Sequence, residues 1–199
     1  MASTNWNTET AQDYGINLLV SENIRLRELQ EEDLPLLAGW WNSPEFMALQ
    51  GHIVLPHPRT EAAEIFRTWS QNKGMKDGIG LCITLPDDTL VGHTALYDYQ
   101  ASSRCAELMI MIGGSYVGQG YGSEATKMIV DFGFREMGLN RIGLGVWEYN
   151  ERALRTFAKA GFREEGRMRQ AGFHNGKFHD KILLSQLADD YFSSTTASS

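Results

Sequence analysis

The chain is poor in cysteine, in basic charge and in long apolar runs, and each shortage excludes something. Two cysteines, Cys82 and Cys105, could close one disulfide at most. Lying in or beside strand-like segments, and without a secretory signal, they read as reduced, buried thiols of a cytoplasmic protein. No apolar run approaches the ~20 residues of a membrane span, so no membrane partner is expected. Lys and Arg number 18 against 25 Asp and Glu, a net charge of −7. That balance argues against a nucleic-acid partner, whose binding rests on neutralising phosphates. It suits either plain solubility or the steering of a cationic amine. Internal repeats and long linkers are missing too, so a single domain over 21–191 is expected. The polar segment 1–20 is expected to be mobile, and the Ser/Thr/Ala tail 192–199 to be disordered.

What is present is concentrated in the second half. Val117-Gly118-Gln119-Gly120-Tyr121-Gly122-Ser123-Glu124 follows an apolar run, Leu108 to Ile112, and precedes a helix-like segment over 121–137. Strand, glycine loop and helix N-terminus together make a generic anion site. Amides without a partner in the first helical turn point at the ligand, and the macrodipole adds about half a positive charge. Glycine lets a phosphate approach the main chain and allows positive φ. The spacing excludes two phosphate loops. Gly122 is followed by Ser123 and Glu124, without the lysine of a Walker A loop, and glycines spaced two and two do not make the Gly-x-Gly-x-x-Gly of a dinucleotide fold. A tight connection would use the same glycines, so the loop alone decides little.

A second stretch decides more. Arg141 to Glu148 is strand-like, and Ala153, Leu154, Phe157 and Ala158 then share one helical face, with Asn150 placed as its N-cap and Gly161 as its C′ residue. With the glycine loop upstream, the pair of motifs resembles the GNAT superfamily of acyl-CoA-dependent N-acetyltransferases. The nearest branch is RimJ/RimL-like and includes spermidine acetyltransferase-like enzymes. The resemblance covers residues 23–190 and implies an α+β fold, a central, mostly antiparallel sheet splayed between its fourth and fifth strands and flanked by helices. The order of elements agrees. A strand at Ile24–Glu28 is followed by helices with faces at Leu34, Leu37, Ala38 and Trp41, then at Ala62, Ile65, Phe66 and Trp69, the latter capped by Thr60 and ended by Gly74. A hairpin over 79–99, a strand to Ile112, helix, strand, helix and a last hairpin turned at Asn175-Gly176 complete it.

The resemblance also implies a chemistry. Acetyl-CoA is the expected acyl donor, and no metal is expected. Its pantetheine arm would run along the exposed edge of the fourth strand at Met111 and Ile112. Its pyrophosphate would rest on the amides of Val117, Gly118, Gln119, Gly120, Tyr121 and Gly122, with the Ser123 hydroxyl on a phosphate oxygen. Asn150, Ala153 and Phe157 would flank the arm from the last helix, Asn150 serving as contact and cap at once. The expected acceptor is a small cationic amine; a protein N-terminus, or a CoA-binding module without catalysis, are the alternatives. Monomer and homodimer are both compatible with the sequence.

A thioester needs little further activation, whereas an amine of pKa ~10.4 must lose a proton, at about 4 kcal/mol near pH 7.4. Glu107, on the strand face of Met109 and Met111, is the expected base, acting directly or through water. Tyr97, Asp98 and Glu148 are rivals near strand ends. Two positions depart from the family pattern. Val117 stands where glutamine or arginine is common, and Phe157 stands where many relatives carry the tyrosine that protonates the departing thiolate. Either Tyr149 or Tyr121 replaces that donor, or the thiolate leaves unprotonated. Trp40, Trp41, Phe46 and Trp69 fall on the acceptor side, where core packing is the commoner reason for helical spacing and a cation-binding wall the alternative. His179-Asp180 in the last hairpin reads as structural.

Overall fold

The computed structural model describes residues 6–74 and 78–196. Among them, seven strands form one open sheet: β1 (Arg25–Arg27), β2 (Ile79–Thr84), β3 (Leu90–Gln100), β4 (Cys105–Ile112), β5 (Arg141–Trp147), β6 (Arg163–His174) and β7 (Lys177–Leu187). Their spatial order is β1-β2-β3-β4-β5-β7-β6. Every neighbouring pair is antiparallel except β4 and β5. The α-helices are α1 (Thr8–Asn17), α2 (Leu34–Trp41), α3 (Pro44–Gln50), α4 (Arg59–Trp69), α5 (Tyr121–Arg135), α6 (Glu151–Lys159) and α7 (Ala188–Thr196).

Strand alternation divides the core in two. Leu96, Leu108 and Ile142 face α5, which buries Ala125, Ile129, Val130 and Phe134 against them. Cys82 and Met111 face the opposite way and pack with Leu37 of α2 and Phe66 of α4. With roughly 1.5–3 kcal/mol gained per large side chain removed from water, covering both faces holds the middle of the sheet rigid. Cys82 and Cys105 are both free thiols, the first buried and the second half-buried.

One interruption in this sheet creates the site. β4 and β5 meet only at Cys105↔Arg141, Ala106↔Ile142 and Glu107↔Gly143. Past Glu107, β4 stays paired with β3 as far as Ile112, and β5 stays paired with β7 as far as Trp147. The two strands therefore part while each keeps its outer neighbour, and among the described residues the inner edge of β4 from Leu108 onward has no strand partner. This is the expected splay.

The periphery carries more regular structure than the sequence suggests. The segment 1–20 contains α1, whose N-terminus is held by a capping box in which the Asn7 side chain accepts from Thr10 N–H and Thr10 Oγ1 accepts from Asn7 N–H. Tyr14 ties the helix to the body of the fold by donating to Glu136 at 2.6 Å. Residues 1–5 lie outside the described residues. The tail expected to be disordered continues α7 to Thr196, because Tyr191 stacks on Phe134 and its hydroxyl reaches Asp131, while Phe192 packs beside Arg135. Only 197–199 of that tail lie outside the description. Helix α4 starts before Thr60 with Pro58 as N-cap residue, and it ends at Trp69 well before Gly74. Asn72 closes the turn that follows, bonding both the N–H and the carbonyl of Gly80.

Candidate active site

The glycine loop forms as a loop and then a helix start. Gly118 and Gly120 take φ of 89° and 94°, a left-handed region in which a side chain would be strained. The Gly120 carbonyl accepts from the N–H groups of Ser123 and Glu124, starting α5. Among the described residues, the N–H groups of Gly120, Tyr121 and Gly122 donate to no protein acceptor. Three free amides at the positive end of a 15-residue helix make an anion cradle. Helix α6 starts beside the same region. Asn150 caps it, its Oδ1 accepting from Ala153 N–H at 3.2 Å, and Gly161 (φ 98°) closes its C-terminus as expected.

Between β4, the glycine loop, α3 and α6 lies a cleft of about 370 Å³. It is lined by Ile112, Val117, Gly118, Gly120, Gly122, Ser123, Asn150, Ala153 and Phe157, nine of the expected donor-binding residues. The other three sit elsewhere, as does Tyr149, expected as a proton donor. Met111 points into the opposite core and is 1% exposed. Gln119 turns back to donate from Nε2 to the Ser115 carbonyl, and Tyr121 does not border the cleft. The Tyr149 hydroxyl donates to the Ala48 carbonyl at 2.8 Å and its ring stacks on Trp147, so it borders neither this cleft nor the next. That geometry turns the Tyr149 hydroxyl toward the Ala48 carbonyl, which speaks against its expected role as thiolate proton donor. Among the described residues, the hydroxyl-bearing residues lining the first cleft are Tyr116, Ser123 and Thr156.

A second cleft, about 260 Å³, opens on the other side of the splay. It is lined by Trp41, Phe46, Trp69, Tyr97, Glu107, Met109, Gly145 and Lys181, among others. Strand alternation explains the division: Ile112 of β4 faces the first cleft, while Glu107 and Met109 face the second. The two clefts share Phe46, Gln50, Ile110 and Phe157, so they meet at the open edge of β4. Three of the four aromatics named from sequence, Trp41, Phe46 and Trp69, are thus cavity wall and core at once. The fourth, Trp40, packs edge-on to Tyr116.

Glu107 has room because Gly143 lies under it: a Cβ there would stand 2.6 Å from Glu107 Oε1. Among the described residues its carboxylate accepts no hydrogen bond. Burial pushes its pKa above the ordinary carboxylate value, opposed by the charges of Arg141 and Lys181. A carboxyl group so placed can exchange protons nearer neutral pH than an exposed one. Burial also raises the pKa of Tyr97, helped by the Glu107 charge. The other rivals, Asp98 and Glu148, are engaged, Asp98 Oδ1 accepting from Gln100 Nε2 at 3.2 Å. Glu148 Oε1 accepts from Asp180 N–H and lies 3.5 Å from His179 Nδ1, and Asp180 accepts from Gln170 N–H, which fits the structural reading of His179-Asp180.

Sequence reasoning missed Lys181, His52, Gln50, Arg152 and Thr156 as lining residues. Among the described residues, Arg152 is the one charged residue lining the first cleft. Its position two residues after an N-cap asparagine, on the helix that flanks the anion loop, was a readable signal; Lys181 had none. Among the described residues, no group of three or more His, Cys, Asp or Glu is arranged to hold a metal ion. No helix among them is long and apolar enough to cross a membrane.

A splayed mixed sheet with an anion loop at the break defines a class, and comparison with known proteins agrees. The model of the acetyltransferase (GNAT) domain matches residues 23–163. The chain belongs to the GNAT family and is an N-acetyltransferase. It is 30% identical over 172 residues to spermidine N(1)-acetyltransferase of Escherichia coli K12, covering 86% of this chain and 89% of that one. It is 25% identical over 170 residues to the prophage-derived N-acetyltransferase YokL of Bacillus subtilis, covering 85% and 93%. Among solved structures, spermidine N-acetyltransferase from Vibrio cholerae, in complex with CoA and spermine, superposes with a TM-score of 0.77 at 22% identity, covering 86% of this chain and 99% of that one.

Proposed function

We propose that this protein transfers acetyl from acetyl-CoA to a small primary amine by direct attack of the amine on the thioester. The observation that carries the reading is the pair of clefts meeting at Phe46, Gln50, Ile110 and Phe157. One cleft has the chemistry for a phosphorylated donor, the other has a half-buried carboxylate for an amine. In this arrangement the free amides of residues 120–122 hold the donor's pyrophosphate, with Arg152 adding a positive charge. The unpaired edge of β4 offers main-chain groups to the pantetheine amides, and Asn150 and Ala153 flank the arm.

On the acceptor side Glu107 takes the proton of the arriving ammonium. The neutral nitrogen then adds to the thioester carbonyl, and collapse of the tetrahedral adduct breaks the C–S bond, with the second proton of the nitrogen passing to the departing thiolate or to solvent, so that the amide and CoA are released. Net charge and the spermidine-acetylating relative favour a cationic acceptor; the enclosed cleft, walled by Trp41, Phe46 and Trp69, favours a small one.

The deciding experiment is release of free thiol from acetyl-CoA across a panel of amines, amino acids and N-terminal peptides, with bound mass checked on the purified protein. Turnover with small amines is the expected result. Bound CoA without thiol release from any acceptor would replace this reading with a CoA-binding module.

A further inference from the structure

Two glycines on one face of β5 each make room for a charged side chain. Gly143 lies under the Glu107 carboxylate, and Gly145 lies under Lys181, where a Cβ would stand 2.3 Å from Lys181 Cε and 3.2 Å from Nζ. Residues i and i+2 of a strand are about 6.6 Å apart on the same face. The ammonium and the carboxylate therefore stand side by side along the acceptor cleft, and both border it. They are not joined: among the described residues no carboxylate comes within ion-pair distance of Lys181. Lys181 Nζ instead sits 5.6 Å from the centre of the Trp147 ring, which fixes a cation without neutralising it.

A half-buried ammonium facing a substrate cleft is an unfavourable neighbour for a polycation. The charges acting on Glu107 are Asp98, Glu165, Arg141 and Lys181, and Arg141 is already paired with Glu165. Of these charges only Glu107 and Lys181 line the cleft, one of each sign, which matches a zwitterion and not the two or more ammoniums of a polyamine.

We propose that Lys181 reads a carboxylate on the acceptor, so that the amine acetylated here is a zwitterion of the amino-acid type. The proposal rests on the acetyl-transfer reading above and sharpens its acceptor. The acceptor's ammonium faces Glu107 and its carboxylate faces Lys181. Charge-assisted hydrogen bonds of about 2.8 Å at each end would fix the two charged groups of such an acceptor. Lys181 is a specificity residue in this arrangement, and Glu107 remains the proton acceptor.

The test compares acceptors that share one carbon skeleton, leucine, leucinamide and isopentylamine, together with spermidine and an N-terminal peptide. Thiol release is followed with the wild type, Lys181→Met and Lys181→Arg. The wild type is expected to favour the amino acid. In Lys181→Met the ratio of kcat/KM for leucine over isopentylamine is expected to fall about 10- to 100-fold, mostly through KM, because a charge-assisted hydrogen bond is lost. Lys181→Arg is expected to keep most of that ratio, and it holds the proposal open to test should the methionine variant misfold. Preference of the wild type for spermidine, the decarboxylated amine or the peptide overturns the proposal and leaves acetyl transfer standing. An equal fall for both acceptors in Lys181→Met also overturns it, since the lysine would then serve Glu107 alone. Thiol release from no acceptor, with CoA bound, removes the acetyl-transfer reading and this proposal together.

Discussion

Replacing Glu107 with glutamine separates a chemical role from a structural one, because the two predict opposite companions for the loss of activity. The reaction needs a neutral amine, and at pH 7.4 an amine of pKa ~10.4 reaches that form at about 4 kcal/mol. A positioned base recovers part of this, typically 10²- to 10⁴-fold in rate. The Glu107 carboxylate faces the acceptor cleft, accepts no hydrogen bond among the described residues and has its pKa raised, first by burial. Glutamine keeps the shape and removes the proton acceptor. We expect kcat/KM at pH 7.4 to fall about 10²- to 10³-fold. The deficit should shrink by up to about tenfold per pH unit as pH rises, since the free amine then exists without help.

Stability should move the other way. A raised pKa means that the folded chain binds this proton more readily than the unfolded chain. Ionised Glu107 therefore costs stability above its folded pKa, and the cost is relieved as pH falls through that value toward the ordinary 4.5. Glu107→Gln should accordingly melt at the same or a higher temperature at pH 7.4. Thiol release and thermal unfolding from pH 5 to 9 measure both. Full activity in the variant would refute the base assignment. Lost activity with a lowered melting temperature would refute the reasoning about its unpaired carboxylate.

Three further outcomes follow from side chains near the clefts. Tyr149→Phe should leave kcat within about twofold and cost about 1 kcal/mol of stability, because its hydroxyl is committed to the Ala48 carbonyl; a large fall in kcat would restore it as proton donor. Phe157→Tyr puts a phenol where both clefts meet, and on the order of a tenfold rise in kcat is expected where thiolate protonation limits turnover; an unchanged rate shows that the thiolate departs without an acid. His93 is fully buried, its pKa pushed down to about 3 by burial, so the unfolded chain takes up a proton below about pH 6.5 that the folded chain refuses. Stability should thus drop as pH falls from 6.5, by up to ~1.4 kcal/mol per pH unit from this group, and His93→Leu should flatten that slope in unfolding curves.

Much of the donor side was legible because its signals are local. The glycine spacing, the Asn150 cap, the C′ role of Gly161 and the Asn175-Gly176 turn each depend on a few neighbouring residues, and each formed as read. The acceptor side depends on contacts that no window of sequence contains. Lys181 enters the cleft only because β7 pairs with β5 and Gly145 gives way beneath it. Tyr149 is diverted by a carbonyl 101 residues away. Helix α1 buries none of its residues, so it shows no apolar stripe, and its one readable sign was the Asn-x-x-Thr capping pair at 7 and 10. Helix α7 lacks a clear stripe for a related reason, since Tyr191 and Phe192 hold it through contacts with Phe134, Asp131 and Arg135 on α5.

The same break in the sheet that opens the site also orders the reaction. On the acceptor side the walls carry the charges, Glu107 and Lys181, over two adjacent glycines of one strand face. At the junction with the donor cleft the walls are Phe46, Ile110 and Phe157, with the Gln50 amide as the polar exception. An ammonium is strongly disfavoured between three apolar side chains, while a neutral amine crosses at little cost. The proton is therefore best surrendered to Glu107 before the nitrogen reaches the thioester. Strand alternation suits the proposed order, because it sets Glu107 on one face of β4 and Ile112 on the other, with the open edge between them.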